Sequence, residues 1–201
     1  MEDTRQRIIE ATYACVARWG VAKTTVEDAA REAAVSRATV YRHFPGGRDE
    51  LIHDVVVWEL FAFFGRLYDE VRGAESLEAV MERGISFAHR SIQEHEVLQR
   101  VMQTEPETLL PTITVESNRI RDAIAGFLVP YLHQHGLAPG VDPDEAGDFL
   151  ARMVLSYMGS PGRWDLDDPA QVSELVRGEL LAGVVVGPEP GKRPDRARGN
   201  S

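Results

Sequence analysis

Apolar residues recur along this chain at intervals of three and four, and the strict alternation of a half-buried strand is nearly absent. The pattern predicts an all-α protein. In residues 3–19, Ile8, Thr12, Cys15, Val16 and Trp19 fall on one helical face, and Gly20 supplies a C-terminal stop. Thr25 suits the N-cap of a second helix, with Asp28 three positions on as a variant capping box, and Val26, Ala29, Ala30 and Ala33 line one face of about two turns. Ala34 and Val35 lead to Ser36, another N-cap. A third helix then runs to Phe44 before Pro45, Gly46 and Gly47 break it.

The pattern changes after Arg48. Residues 51–68 are apolar almost all round, which predicts a helix buried on most sides. Ser76 caps a helix carrying Leu77, Val80, Met81, Ile85 and Ala88 on one face, and a shorter helical piece comes next, around residues 97–103. Pro106 and Pro111 interrupt the next stretch, so a long helix is expected only from about residue 112 to 133, kinked by Pro130. Asp142-Pro143 and Asp168-Pro169 each read as an acidic N-cap with proline at the first helical position. Each opens a helix with an apolar stripe. From residue 187 onward, GPEPGKRPDRARGNS has the composition of a disordered tail.

Charge refines this picture through its distribution. The chain of 201 residues carries a net −10, yet residues 1–50 hold eight basic and eight acidic residues, so the excess acid lies beyond them. Within residues 36–48, Arg37, Arg42, His43 and Arg48 occur with no acid, a basic patch suited to a phosphate backbone. No window is apolar enough to span a membrane, the start MEDTRQR lacks a signal-peptide core, and the single Cys15 excludes an internal disulfide. A cytoplasmic protein is expected.

Two short helices joined by a tight turn have the size of a helix-turn-helix, whose second helix enters the major groove of DNA. In the third helix Val40 and Phe44, with Val35 just before it, suit packing on its neighbours. Arg37, Thr39, Tyr41, Arg42 and His43 then remain for contact. Arginine reads guanine, a threonine methyl touches thymine, and tyrosine and histidine hold phosphates. Other constellations are weak. His133 and His135 diverge on a helix, and His89 and His95 have no further ligand at metal spacing, so no metal is expected. With no Gly-rich phosphate loop, GxSxG or paired carboxylates, neither an enzyme nor a cofactor is expected.

Ile8, Ala11, Gly20, the run TTVEDAAREAAVSRATVYRHF over residues 24–44, and Leu51 resemble the DNA-binding domain of the TetR family of bacterial regulators. Two departures stand out. Ala34 occupies a turn position where the family usually has glycine, and the segment from Phe44 to Leu51 is one residue longer, with Arg48 where a lysine is expected. The resemblance implies an N-terminal three-helix helix-turn-helix domain joined to a C-terminal helical ligand-binding and dimerisation bundle. It also implies a homodimer on a palindromic operator and an effector pocket inside each C-terminal core.

The expected organisation is residues 1–47 for DNA binding, 48–186 for effector binding and dimerisation, and 187–201 as tail. Expected contacts to double-stranded DNA are Thr25, Ser36, Arg37, Thr39, Tyr41, Arg42, His43 and Arg48. The amphipathic terminal helices offer Phe149, Met153, Tyr157, Leu175, Val176 and Leu180 as a dimer interface. For a mostly apolar small-molecule effector, the expected lining is Trp58, Phe61, Phe64, Tyr68, Phe87, Met102, Ile124, Phe127 and Tyr131, with His89, Gln103, Asn118 and Arg121 as polar anchors. Together these describe a repressor released from its operator by ligand; the competing reading is a helical protein-interaction module that does not bind DNA.

Overall fold

The computed structural model describes residues 3–185, apart from the side chains of residues 108–117, so the expected tail lies outside the described residues. Among the described residues the backbone is helical, with no strand beyond one isolated bridge between Leu137 and Val185. The chain divides into two compact units, Met1–Ala74 with Arg83–Ile120, and Glu75–Glu82 with Arg121–Ser201. The division falls inside α5 (Leu77–Glu94) and α7 (Pro106–Gln134).

The first unit is built on α1 (Thr4–Trp19), α2 (Val26–Glu32), α3 (Arg37–His43), α4 (Arg48–Val71) and α6 (Glu96–Thr104). Asp3 caps α1 by accepting from the Arg5 amide at 3.1 Å. Helix α1 packs on α2 and α4, and α2 packs on α3, around Ile8, Ile9, Val26, Ala29, Ala30, Val40, Phe44, Leu51 and Val55. Gly20 ends α1 at φ 87, and a Cβ there would overlap the Glu105 carboxylate. The burial of Cys15 pushes its thiol pKa up, which suits a small core hydrophobe better than a reactive thiolate.

The α2–α3 turn is a Schellman motif. The Val35 amide donates to the Ala30 carbonyl at 2.9 Å and the Ala34 amide to Arg31 at 3.2 Å, which satisfies carbonyls at the end of α2. This geometry requires a left-handed residue, and Ala34 takes it at φ 52, the one non-glycine residue among those described with positive φ. Its Cβ makes that conformation costly.

The second unit contains α8 (Pro143–Gly159) and α9 (Pro169–Leu175), each opened by its aspartate and proline. Asp142 accepts from the amides of Asp144 and Glu145, and Asp168 from that of Ala170. After α9 the chain widens into a π-helical turn, Val176–Leu180, closed by the Leu181 amide on the Val176 carbonyl at 2.8 Å. Leu180 and Leu181 at the end of that turn are both buried.

Four expectations are corrected. Helix α7 starts at Pro106 and continues through Pro111 and Pro130. Proline at the first helical position gives up an amide that has no helical partner, and the later prolines each forfeit one hydrogen bond without ending the helix. Helix α4 is not covered on most sides: it buries Leu51, Val55, Leu67 and Val71 on one face, while Phe61 and Tyr68 are 74% and 55% exposed. The terminal helix is α9 plus the π turn rather than one regular helix. Leu175, Val176 and Leu180 are fully buried within the single chain, which assigns them to its own core and not to a face between subunits.

Replacing Ala34 with glycine relieves the left-handed strain, and even after the larger entropy of the unfolded chain the gain is about 1 kcal/mol. Urea unfolding of Ala34→Gly is expected to show a higher midpoint at an unchanged slope. An unchanged or lower midpoint would contradict a strained turn.

Candidate nucleic-acid interface

Helix α3 is oriented by what it buries. Val40 and Phe44 are fully buried in the α1–α2–α4 core, which leaves Arg37, Tyr41 and Arg42 exposed and Thr39 and His43 half-buried. The sequence-derived contact residues of α3 are thus distributed over the surface that Val40 and Phe44 leave, with Thr39 and His43 at its partly covered edge. Ser36 caps it: its Oγ accepts from the Thr39 amide at 3.1 Å and lies 2.9 Å from the Thr39 hydroxyl. Thr25 is similarly committed, accepting from the Asp28 amide at 3.1 Å and donating its hydroxyl to the Asp28 carboxylate at 2.6 Å. That hydroxyl is the main reason the Asp28 carboxyl is held below its ordinary range.

The acids of α2 are each paired. Glu27 meets Arg37 at 2.9 Å, Asp28 meets Arg31 at 3.2 Å, and Glu32 takes both guanidinium nitrogens of Arg18 at 3.0 and 3.1 Å. Such exposed pairs add little stability, but they offset the charge that would repel a polyanion. Arg42 has no ion pair among the described residues and is the most available cation on α3. A short basic helix, backed by a neutralised one and separated from it by a tight turn, has the form of a DNA-reading helix-turn-helix.

Arg48 has a different occupation from the expected phosphate contact. Its Nε donates to the Thr24 carbonyl at 2.9 Å and its Nη2 to the Val21 carbonyl at 2.6 Å, so the guanidinium ties the start of α4 to the loop before α2. Gly47, at φ 66, precedes it under the Tyr41 ring, where a Cβ would approach to 3.3 Å. Sequence reasoning missed two further residues of this framework. Glu105 accepts from the Ala22 amide at 2.7 Å, and Arg100 donates to the Ala17 carbonyl. Both join segments 83 residues apart, so no local signal marks them.

The residues expected to line an effector site belong to both units. In the first unit, Trp58 is partly buried and packs edge-on to Tyr13 at 5.7 Å against the helix-turn-helix core. Phe61, Tyr68, Met102, Gln103 and Asn118 are exposed. Phe64 and Phe87 flank Phe63 at 5.4 and 5.6 Å, and His89 is half-buried. In the second unit, Phe127 and Tyr131 stack at 5.6 Å, Ile124 is half-buried, and Arg121 is paired with Asp122 and Asp148. Phe149 is 43% exposed on α8, Met153 is half-buried, and half-buried Tyr157 donates its hydroxyl to Glu179. A shallow depression of about 400 Å³ is lined by Ala170, Glu174, Arg177 and Gly178, none of them an expected ligand residue.

Residues 8–55 match the family model for bacterial regulatory proteins, tetR family, and that match supports a DNA-binding transcriptional regulator of the TetR type for this segment. It is 31% identical over 104 residues to an uncharacterised HTH-type transcriptional regulator of Mycobacterium bovis, a match covering 51% of this chain and 52% of that one. The match thus spans about half the length of that relative. Among solved structures, the TetR family repressor AlkX of Dietzia sp., implicated in n-alkane biodegradation, shares the fold at TM-score 0.65 and 23% identity, over 90% of this chain and 97% of that one. FadR of Thermus thermophilus, solved with lauroyl-CoA, shares it at TM-score 0.55 and 21% identity, over 94% and 99%. Among the described residues no helix is long and apolar enough to cross a membrane, and no three His, Cys, Asp or Glu residues gather as a metal site.

The role of Arg48 is testable by stability. Lysine keeps the charge but lacks the fork that reaches two carbonyls, so Arg48→Lys is expected to lower the unfolding free energy by about 1–2 kcal/mol in chemical denaturation. Unchanged stability together with weaker DNA binding would instead make Arg48 a phosphate contact.

Proposed function

We propose that this chain is a cytoplasmic repressor that binds an inverted-repeat operator as a homodimer and leaves it when a small hydrophobic effector binds. Residues 1–47 read DNA in this account, and residues 48–186 bind the effector and dimerise. The observation that carries the reading is the uncovered side of α3, where Arg37, Tyr41 and Arg42 stand exposed on a helix whose rotation is fixed by buried Val40 and Phe44. Thr39 and His43 complete the contact surface, Thr25 and Ser36 present it, and Arg48 braces it. One such patch is small, and two-fold symmetry would supply a second. The apolar, half-exposed Phe149 on α8, with Met153 and Tyr157 on the same helix, supports a subunit contact there.

The apolar effector class rests on this chain's own aromatic residues, among them the Phe63, Phe64 and Phe87 cluster. AlkX is implicated in n-alkane degradation and the T. thermophilus repressor holds lauroyl-CoA, an apolar theme compatible with this reading; identities of 23% and 21% carry the fold alone. A ligand that favours the released conformation 100-fold supplies about 2.7 kcal/mol of coupling.

Selection of bound duplexes from random DNA, and then footprinting, tests the operator. A symmetric footprint is expected, and Phe149→Glu should give folded monomers that lose it. An asymmetric footprint, or monomeric wild-type protein on the selected site, would contradict the proposal. Thermal-shift screening with fatty acids and acyl thioesters against sugars and amino acids tests the effector. Apolar compounds are expected both to raise Tm and to release the operator; stabilisation by polar compounds alone would reverse the effector class.

A further inference from the structure

The pair formed by Glu27 and Arg37 is unusual in its placement. Arg37 is the first residue of α3, where the positive end of the helix disfavours a cation, and the first turn of α3 contains no acid of its own. The carboxylate comes from α2 instead. Glu27 Oε1 lies 2.9 Å from Arg37 Nη2, while the guanidinium carbon stands 5.9 Å from the centroid of the Tyr41 ring. Arg37 is thus held by two groups on a helix that is itself fixed by the core. The side chains of Arg37 and Glu27 remain 60% and 47% exposed, too much for the fold to depend on their pairing. The bond to Glu27 engages one end of the guanidinium and leaves its remaining N–H groups for a base edge.

Building on the operator reading above, we propose that Glu27 is a positioning residue for base recognition: it fixes Arg37 at the head of α3 and sets selectivity at the expense of bulk affinity. A carboxylate facing DNA weakens binding to every sequence by repelling phosphates. It also keeps Arg37 from swinging onto the nearest phosphate, where the contact would carry no sequence information.

The two effects separate by sign. Wild type, Glu27→Gln, Arg37→Ala and the double variant would be titrated on the selected operator, on operators altered one base pair at a time, and on an unrelated duplex, at several salt concentrations. Glu27→Gln is expected to bind the unrelated duplex more tightly while discriminating against at least one altered operator roughly 5-fold less, the lower range for one bidentate base contact. Combined with Arg37→Ala, it should change selectivity no further. Equal tightening on every duplex would reduce Glu27 to a repulsive charge and overturn the proposal, as would a selectivity loss that persists without Arg37. Failure of the operator reading itself is distinguishable, because wild type would then show no sequence preference at all.

Discussion

Burial of Val40 and Phe44 against α1, α2 and α4 fixes the rotation of α3, and which of its side chains stay uncovered depends on it. A helix turns about 100° per residue, so once two core residues four apart are seated, the neighbouring side chains have no choice of face. That is why Arg37, Tyr41 and Arg42 are left uncovered together. Removing a buried aromatic such as Phe44 costs about 3–5 kcal/mol in a typical core, enough to release α3 from this constraint. The Schellman turn sets the approach of α3 to α2, and the Arg48 guanidinium holds the loop that leads into α2. Base readout needs side chains placed to within a fraction of an ångström, so a short helix must borrow its rigidity from such surroundings.

Electrostatics then resolves an apparent conflict. A chain of net charge −10 is a poor partner for a polyanion when taken as a whole. Local pairing changes what DNA would meet. Each carboxylate of α2 faces an arginine, leaving Arg42 without an acid partner among the described residues. Screening at physiological salt acts over about 8 Å, so the excess acid elsewhere on the chain weighs less than the charges beside the phosphates.

Features decided by neighbours in sequence were legible, and features decided by distant neighbours were not. The caps at Thr25, Ser36, Asp142 and Asp168 are local chemistry, and the pattern around Val40 and Phe44 identified the buried side of α3 from the sequence alone. Pro106 looked like a breaker because a proline that opens a helix and one that ends a helix are told apart only by whether the residues after it stay helical. The apolar stripes of α4 and α9 announced burial without saying against what. Phe61 proved exposed, and Leu175, Val176 and Leu180 proved to fill their own chain. Glu27 and Glu105 act across a turn and across 83 residues respectively, and charge alone does not distinguish them from other surface acids.

The central claim is that α3 meets DNA with the side left uncovered by the burial of Val40 and Phe44. Hydrogen–deuterium exchange of the full chain, with and without a duplex selected for binding, tests it most directly. The account predicts that slowed exchange concentrates in residues 25–48, spanning α2, the turn, α3 and the start of α4. Unchanged exchange across those residues, with protection confined to other helices on binding the same duplex, would contradict it.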